Sequence, residues 1–464
     1  MRRISANAGL IFLGDAAARA LGFFTTIHLA AEMGKEGYGM VTVGFAILSY
    51  ALWFSDLGLG TLGTREMARP EEEREFSPGD IFASRLILGI IILIASYPIV
   101  LAIYGRVGRT FYIWFLFAII PYAFSLEWYY QGKQRFIPFT ISRFIASAIY
   151  FAVVFNVVKG EYFWGLVPGS YTLATLVAAF VLIFCKKERF SFEGFSPGRF
   201  FAAIRSAAVI GIGGILAQSV QLLPPLVLGA GGLGEPIREA GVLGAALKII
   251  FVILIIDRVF ATVFLPAITR LWSANRAEAE RSLERVLRLV IVLGFGIGTV
   301  LTIHATEVMR LIYTSSYADG GPTLAILSWF GVATLVNSIF SFGLIGTGHE
   351  REYFRATVIG GIATLLLTFP LIHLFGLTGA ALAIVGSEIC LVALTYAAFR
   401  RRVKVRFIRA LAIAILTAAG VILAAHYLPV SALPFLPLTG ITFLAATWGL
   451  GAFSREDILW VIKR

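Results

Sequence analysis

Residues 38–69 read YGMVTVGFAILSYALWFSDLGLGTLGTREMAR: an apolar run to Phe54, a carboxylate at Asp56, glycines at 58, 60 and 63, then Arg65, Glu66 and Arg69. A helix in water would keep Asp56 on a wet face, but the run before it has no polar face to extend. The solvent of that run is therefore hydrocarbon, and Asp56 stands where the chain reaches its edge. The remaining sequence has the same character. Of 464 residues 58% are hydrophobic, and the mean hydropathy is +0.86, whereas soluble domains are roughly half apolar. Apolar stretches of the ~20 residues needed to cross a bilayer recur from end to end, leaving no room for a separate soluble domain of ~100 residues.

These stretches predict an all-α integral membrane protein of about fourteen transmembrane helices. Lipid cannot satisfy free backbone donors, and the period-two pattern of barrel strands is absent. The first six spans are 7–31, 38–58, 81–104, 111–130, 137–158 and 162–185. The next six are 201–229, 239–267, 286–304, 322–346, 353–375 and 377–399, and a last pair follows at 407–428 and 433–453. The first apolar stretch carries Asp15 and Arg19 and runs too long for a signal-peptide core, so it is expected to be retained.

Net charge is +12, which in a soluble protein would suggest nucleic acid. Here 24 of the 39 Lys and Arg fall in one set of alternate connections and 6 in the opposite set, the rest lying within spans. That is the positive-inside bias of a membrane protein. Both termini are expected on the cytoplasmic side of the cell membrane, and no nucleic-acid partner is expected. The segment 272–288, WSANRAEAERSLERVLR, predicts an amphipathic helix at that surface. Cys185 and Cys390 lie in apolar spans and suggest neither a disulfide framework nor a metal cluster. No Ser/His/Asp set, metal-spaced cluster or phosphate loop stands out, so neither an enzyme nor a cofactor is expected.

The stretch GKEGYGMVTVGFAI after span one has a weak echo in REAGVLGAALKII after span seven, and Asp56 has an analogue in Asp257. Such internal symmetry is common among transporters. Boundaries at 1–190, 191–400 and 401–464 divide the chain into two six-helix bundles and a C-terminal helix pair.

Residues 7–69 carry a resemblance, through the Asn7 start, the G-x-x-G-Y-G turn at Gly34 to Gly39, and SDLGL followed by TRE-x-AR. With EWYYQGKQRF from Glu127 and FLPAITRLW at Phe264, they resemble the polysaccharide transporter (Wzx-type flippase) family of the multidrug/oligosaccharidyl-lipid/polysaccharide exporter superfamily. The resemblance implies two bundles facing each other across a central cavity that opens inward or outward by alternating access. It also implies a substrate, a polyprenyl-diphosphate-linked oligosaccharide carried to the outer leaflet, and membrane lipids as further partners. AAEMGKEG, at the end of span one, departs from the commoner Arg-containing version.

A charge at mid-bilayer costs about 2.5–3.5 kcal/mol on insertion scales, so charged residues inside spans should face a cavity or a partner. Asp15 and Arg19 are spaced i, i+4 and can pair on one helix face, with Arg19 also able to bind phosphate in bidentate fashion. Lys248 lies deep in span eight and ranks with Arg19 as a cavity cation. Arg85, Arg143 and Arg205 fall a turn or two inside spans three, five and seven, where they either snorkel or meet a diphosphate. Arg258 joins them unless its neighbour Asp257 neutralises it. Glu388 in span twelve is a candidate for coupling transport to H+ or Na+, as is Asp15, with a structural hydrogen-bonded role the alternative for Glu388. Asp56, Gly58, Gly60 and Asp257 are assigned to a gate or hinge, with Asp56 expected near Arg65 and Arg69.

Two other functions compete with the flippase reading. A cation-coupled multidrug antiporter of the same superfamily needs uncompensated carboxylates, and the spans hold more Arg and Lys than acids. A membrane glycosyltransferase or polysaccharide polymerase needs a catalytic outer loop, and every outer loop is short.

Overall fold

The computed structural model describes residues 2–104, 106–159, 164–186, 190, 195–231, 234–428 and 432–457, and the side chains of 2–12, 106–109, 256, 258–263 and 266 lie outside that description. All regular structure among the described residues is helical. The chain forms two compact units, one of residues 1–218 and 228–241, the other of 219–227 and 242–464.

In the first unit α1 (Arg2–Asp56) holds two passes, divided at Gly34, whose φ of 61° and ψ of −172° suit glycine alone. The helix ends through Leu57 and Gly58, both with positive φ, and α2 (Leu59–Ala68) follows. Next comes α3 (Pro78–Ile103), which starts at a reciprocal cap between Ser77 and Asp80 with Pro78 in its first turn. The fourth pass is assembled from three short pieces, α4 (Arg106–Leu116), α5 (Ile119–Phe124) and α6 (Glu127–Gly132). Two continuous passes follow, α7 (Phe136–Val157) and α8 (Leu166–Phe184), with α7 packed between α1 and α8. The unit takes the first part of α9 (Pro197–Gly229), and its core gathers Leu59, Ile81, Trp128, Tyr130, Leu182 and Ala207.

The second unit contains α10 (Glu235–Ile253) from Val242 onward and α11 (Ile255–Ala274), which meet at Leu254. Asn275 caps α12 (Arg276–Ile312), its side chain accepting from the Glu278 amide. The charged stretch 276–288 is thus the opening of a continuous 37-residue helix and not a separate surface helix, because nothing after the cap interrupts the hydrogen-bond ladder. After α13 (Gly321–Gly346), α14 (Glu350–Phe399) makes two passes divided at Gly376, with φ 52° and ψ −128°. The last pair, α15 (Ile408–Tyr427) and α16 (Leu436–Gly449), packs on α12. There Phe443 sits in the same core as Ile291, Phe340 and Phe399, and buried His304 bonds Thr439 at 3.0 Å.

Ten helical stretches among the described residues are long and apolar enough to cross a membrane. The breaks at Gly34 and Gly376 turn two of them into two passes each, and α10 with α11, counted as one interrupted pass, and short α16 bring the number to the fourteen spans read from the sequence. Polarity is distributed as lipid requires. Ile90, Ile94, Ile99, Leu366 and Phe369 are exposed, while Asp56, Glu66, Arg85, His304 and Glu388 are buried.

Candidate functional site

Three basic and three acidic side chains inside the first unit neutralise one another. On α1, Arg19 donates to Asp15 at 2.8 Å, one helical turn away. Arg143 of α7 lies 3.9 Å from the other oxygen of Asp15 and donates two bonds to Glu127 of α6, at 3.0 and 3.2 Å. Its guanidinium also stacks over the Phe139 ring at 4.3 Å. Arg85 of α3 is 4% exposed and lies 2.9 Å from Asp56. It further donates to the carbonyls of Ser125 and Tyr122 at 2.7 and 3.3 Å. Asp56 also accepts from the Gly60 amide, so the carboxylate that ends α1 caps the helix that follows.

A cavity of about 420 Å³ opens beside the buried pair. Trp53, Tyr122 and Trp128 supply aromatic surface, and Asp56, Glu127, Gln131, Thr61 and Thr64 supply polar atoms. The indole N–H of buried Trp128 has no hydrogen-bond acceptor among the described residues.

Two further cations named from the sequence, Lys248 and Arg205, lack such company. Lys248 is exposed on a helix whose neighbouring residues 240–247, 249 and 250 are all buried, and no ion pair or hydrogen bond holds it among the described residues. An ammonium so placed can recruit an anion without first losing a carboxylate. Arg205 on α9 is exposed and likewise forms no ion pair among the described residues. Asp257 lies in the first turn of α11, just past the interruption at Leu254 and well before the end of the eighth span. The Arg258 side chain lies outside the described residues. Glu388, buried on α14, accepts from Asn337 of α13 at 3.3 Å, and the Asn337 carbonyl accepts from Thr395 at 2.6 Å. This gives a buried hydrogen-bonded chain from Thr395 through Asn337 to one carboxylate.

Gly58 and Gly60 are closely packed. A methyl group on Gly58 would stand 2.6 Å from the Ala207 carbonyl oxygen and 2.8 Å from the Gly211 nitrogen, and one on Gly60 would stand 3.1 Å from the Asp56 carboxylate. The end of α1 therefore lies backbone to backbone against α9. Arg65 and Arg69 turn instead to Glu66, fully buried, at 3.5 and 3.1 Å. Sequence reasoning had no role for Glu127, although an acid inside the apolar stretch 111–130 meets the same criterion that singled out the other charges. Trp53 and Tyr122 carried no signal, because aromatic residues are common in every span.

Residues 4–272 match the model of the family described as Polysaccharide biosynthesis protein. A protein of Escherichia coli strain K12 that carries the provisional name O-antigen transporter is 21% identical over 390 residues, which cover 80% of this chain and 90% of that one. Among solved structures, Lipid II flippase MurJ in an inward closed conformation aligns with a TM-score of 0.72 at 13% identity, covering 97% of this chain and 99% of MurJ. An inward-facing multidrug resistance MATE family transporter of the MOP superfamily aligns with a TM-score of 0.68 at 15% identity, covering 83% of this chain and 94% of the transporter. At such identities the likeness concerns the fold. The family match spans more than half of the sequence, so the chain belongs to the polysaccharide biosynthesis protein family, and its fold is that of the MOP transporters.

Proposed function

We propose that this protein is a flippase that carries a polyprenyl-diphosphate-linked oligosaccharide across the cytoplasmic membrane by alternating access, with both termini in the cytoplasm. The observation that carries the reading is Lys248, an unpartnered and accessible cation in a membrane span of a chain from a polysaccharide biosynthesis family. A diphosphate is the part of such a substrate that most needs charge neutralisation on its way through hydrocarbon. Arg19, Arg143 and Arg205 offer guanidinium groups of matching geometry, the first two by exchanging a carboxylate for phosphate. Arg85 is assigned a structural role, since it is buried, its charge is matched by Asp56, and it donates to two backbone carbonyls. The names O-antigen transporter and Lipid II flippase, borne by a relative and a structural neighbour, support the same substrate class.

In this reading Glu388, buried and hydrogen-bonded by Asn337, carries the coupling ion, H+ or Na+. The drug-antiporter alternative is less well supported, because Asp15, Asp56 and Glu127 are each matched by an arginine. The test is reconstitution into liposomes with a fluorescent polyprenyl-diphosphate-linked oligosaccharide, whose outer-leaflet fraction is measured by a membrane-impermeant quencher. Redistribution that requires the protein and responds to an imposed proton or sodium gradient is expected. Export of a cationic dye in place of the lipid-linked sugar would sink the proposal.

A further inference from the structure

We infer that the cavity of the first unit binds a sugar that is neutral or carries an amino group, through Trp53, Tyr122, Glu127 and Gln131. The inference rests on the flippase reading for the idea that a sugar reaches this site, and it goes further by saying which sugars fit. At about 420 Å³ the cavity is far larger than a buried water needs and within the ~300–1,000 Å³ range of small-molecule sites. Its lining combines aromatic surface with clustered carboxylate, amide and hydroxyl groups, as a polyol requires. Ring C–H faces rest on Trp53 and Tyr122, while hydroxyls donate to Glu127 and Gln131.

Charge decides the class of sugar. The lining holds two carboxylates, Asp56 and Glu127, and one cation, Arg85. That cation is 4% exposed, its charge is matched by Asp56 at 2.9 Å, and it donates to the carbonyls of Ser125 and Tyr122, so it offers a phosphate or a uronate little uncompensated charge. Glu127 is held from outside the lining by Arg143 and still presents acceptor lone pairs, since a carboxylate has about four. An acidic sugar would meet these acceptors with its own. A hydroxyl, acetamido or ammonium group would donate to them. The diphosphate is then bound by cations outside the lining, such as Lys248, and the two ends of the substrate are recognised by different residues.

The experiment uses the full chain in lipid nanodiscs and three probes, the methyl glycosides of N-acetylglucosamine, glucosamine and glucuronic acid, read by saturation-transfer NMR. Inorganic pyrophosphate binding is measured separately by calorimetry. Signals are expected from the first two glycosides, with the glucuronide at least fivefold weaker. Thr61→Trp, a large ring at an exposed position of the lining, should cut the sugar signals at least fivefold and leave pyrophosphate binding unchanged. Gln131→Ala, which adds no bulk, should weaken them in the same direction. No signal from any glycoside, a strongest signal from the glucuronide, or signals that persist in both variants would overturn the inference. Sugar signals that behave as expected in a protein that neither binds pyrophosphate nor flips lipid-linked sugar would instead remove the flippase reading and leave the subsite standing.

Discussion

Asp56 at the end of α1 and Arg85 on α3 meet at 2.9 Å in the interior of the first unit, with the arginine 4% exposed. The pair joins three elements, because the same guanidinium also reaches the carbonyls of Ser125 and Tyr122. Removing one member of a buried pair leaves the other charge uncompensated, at a cost of about 3–5 kcal/mol. Arg85→Ala should therefore lower the melting temperature in detergent markedly and reduce the folded yield. Arg85→Lys should rescue little, since one ammonium cannot span the three acceptors that the planar fork serves. An Arg85→Ala protein with wild-type stability and lost transport would show instead that the arginine serves the substrate.

The pair also marks the limit of what the sequence could tell. Asp56 was legible as a carboxylate at the edge of hydrocarbon, because hydropathy measures depth. Its partner was not. Nearness in sequence favoured Arg65 and Arg69, which the fold gives to Glu66, while Arg85 reaches Asp56 from another helix. The same gap hid Glu127 beneath Arg143. The pass divided at Gly34 was legible from glycine and charge, but the interruption at Leu254 falls in FVILIID, which has neither glycine nor proline to announce it. Apolarity locates spans well, and side-chain pairing and local breaks inside them depend on tertiary contacts.

Gly58 separates packing from hinge motion. With φ at 86° and the Ala207 carbonyl 2.6 Å from where a methyl would stand, Gly58→Ala should destabilise the protein by about 1–3 kcal/mol through backbone strain alone. Thermal unfolding followed by size-exclusion chromatography measures this. If Gly58 acts chiefly as a hinge, the same variant will keep its melting temperature and lose transport rate.

Glu388→Gln keeps the shape of the side chain and a carbonyl acceptor for Asn337, and removes the titratable charge. If the carboxylate holds the coupling ion, the variant should fold normally and catalyse downhill redistribution of lipid-linked sugar. It should no longer respond to an imposed gradient, and its pH dependence should flatten. A gradient response equal to wild type would leave Glu388 with a packing role between α13 and α14.

Lys248 offers the sharpest test of the cation site, because it is accessible and nothing in the described structure depends on it. Replacing an accessible side chain without a partner ordinarily changes stability by within about 0.5 kcal/mol, so Lys248→Ala should shift the melting temperature by no more than about 2 °C. A hydrogen bond to a charged group contributes about 1.5–3 kcal/mol, and each 1.4 kcal/mol is tenfold in an equilibrium constant. Loss of the ammonium should therefore weaken pyrophosphate binding by about tenfold to a hundredfold and reduce flipping to match. Lys248→Arg keeps the charge and should restore most of both. Arg19→Ala provides the contrast. Its guanidinium is already paired to Asp15, so a diphosphate gains less there than at an uncommitted cation, and the loss in affinity should be smaller than at Lys248. Equal pyrophosphate affinity in wild type and Lys248→Ala, measured on folded protein, would remove Lys248 from the site and leave the arginines to account for binding.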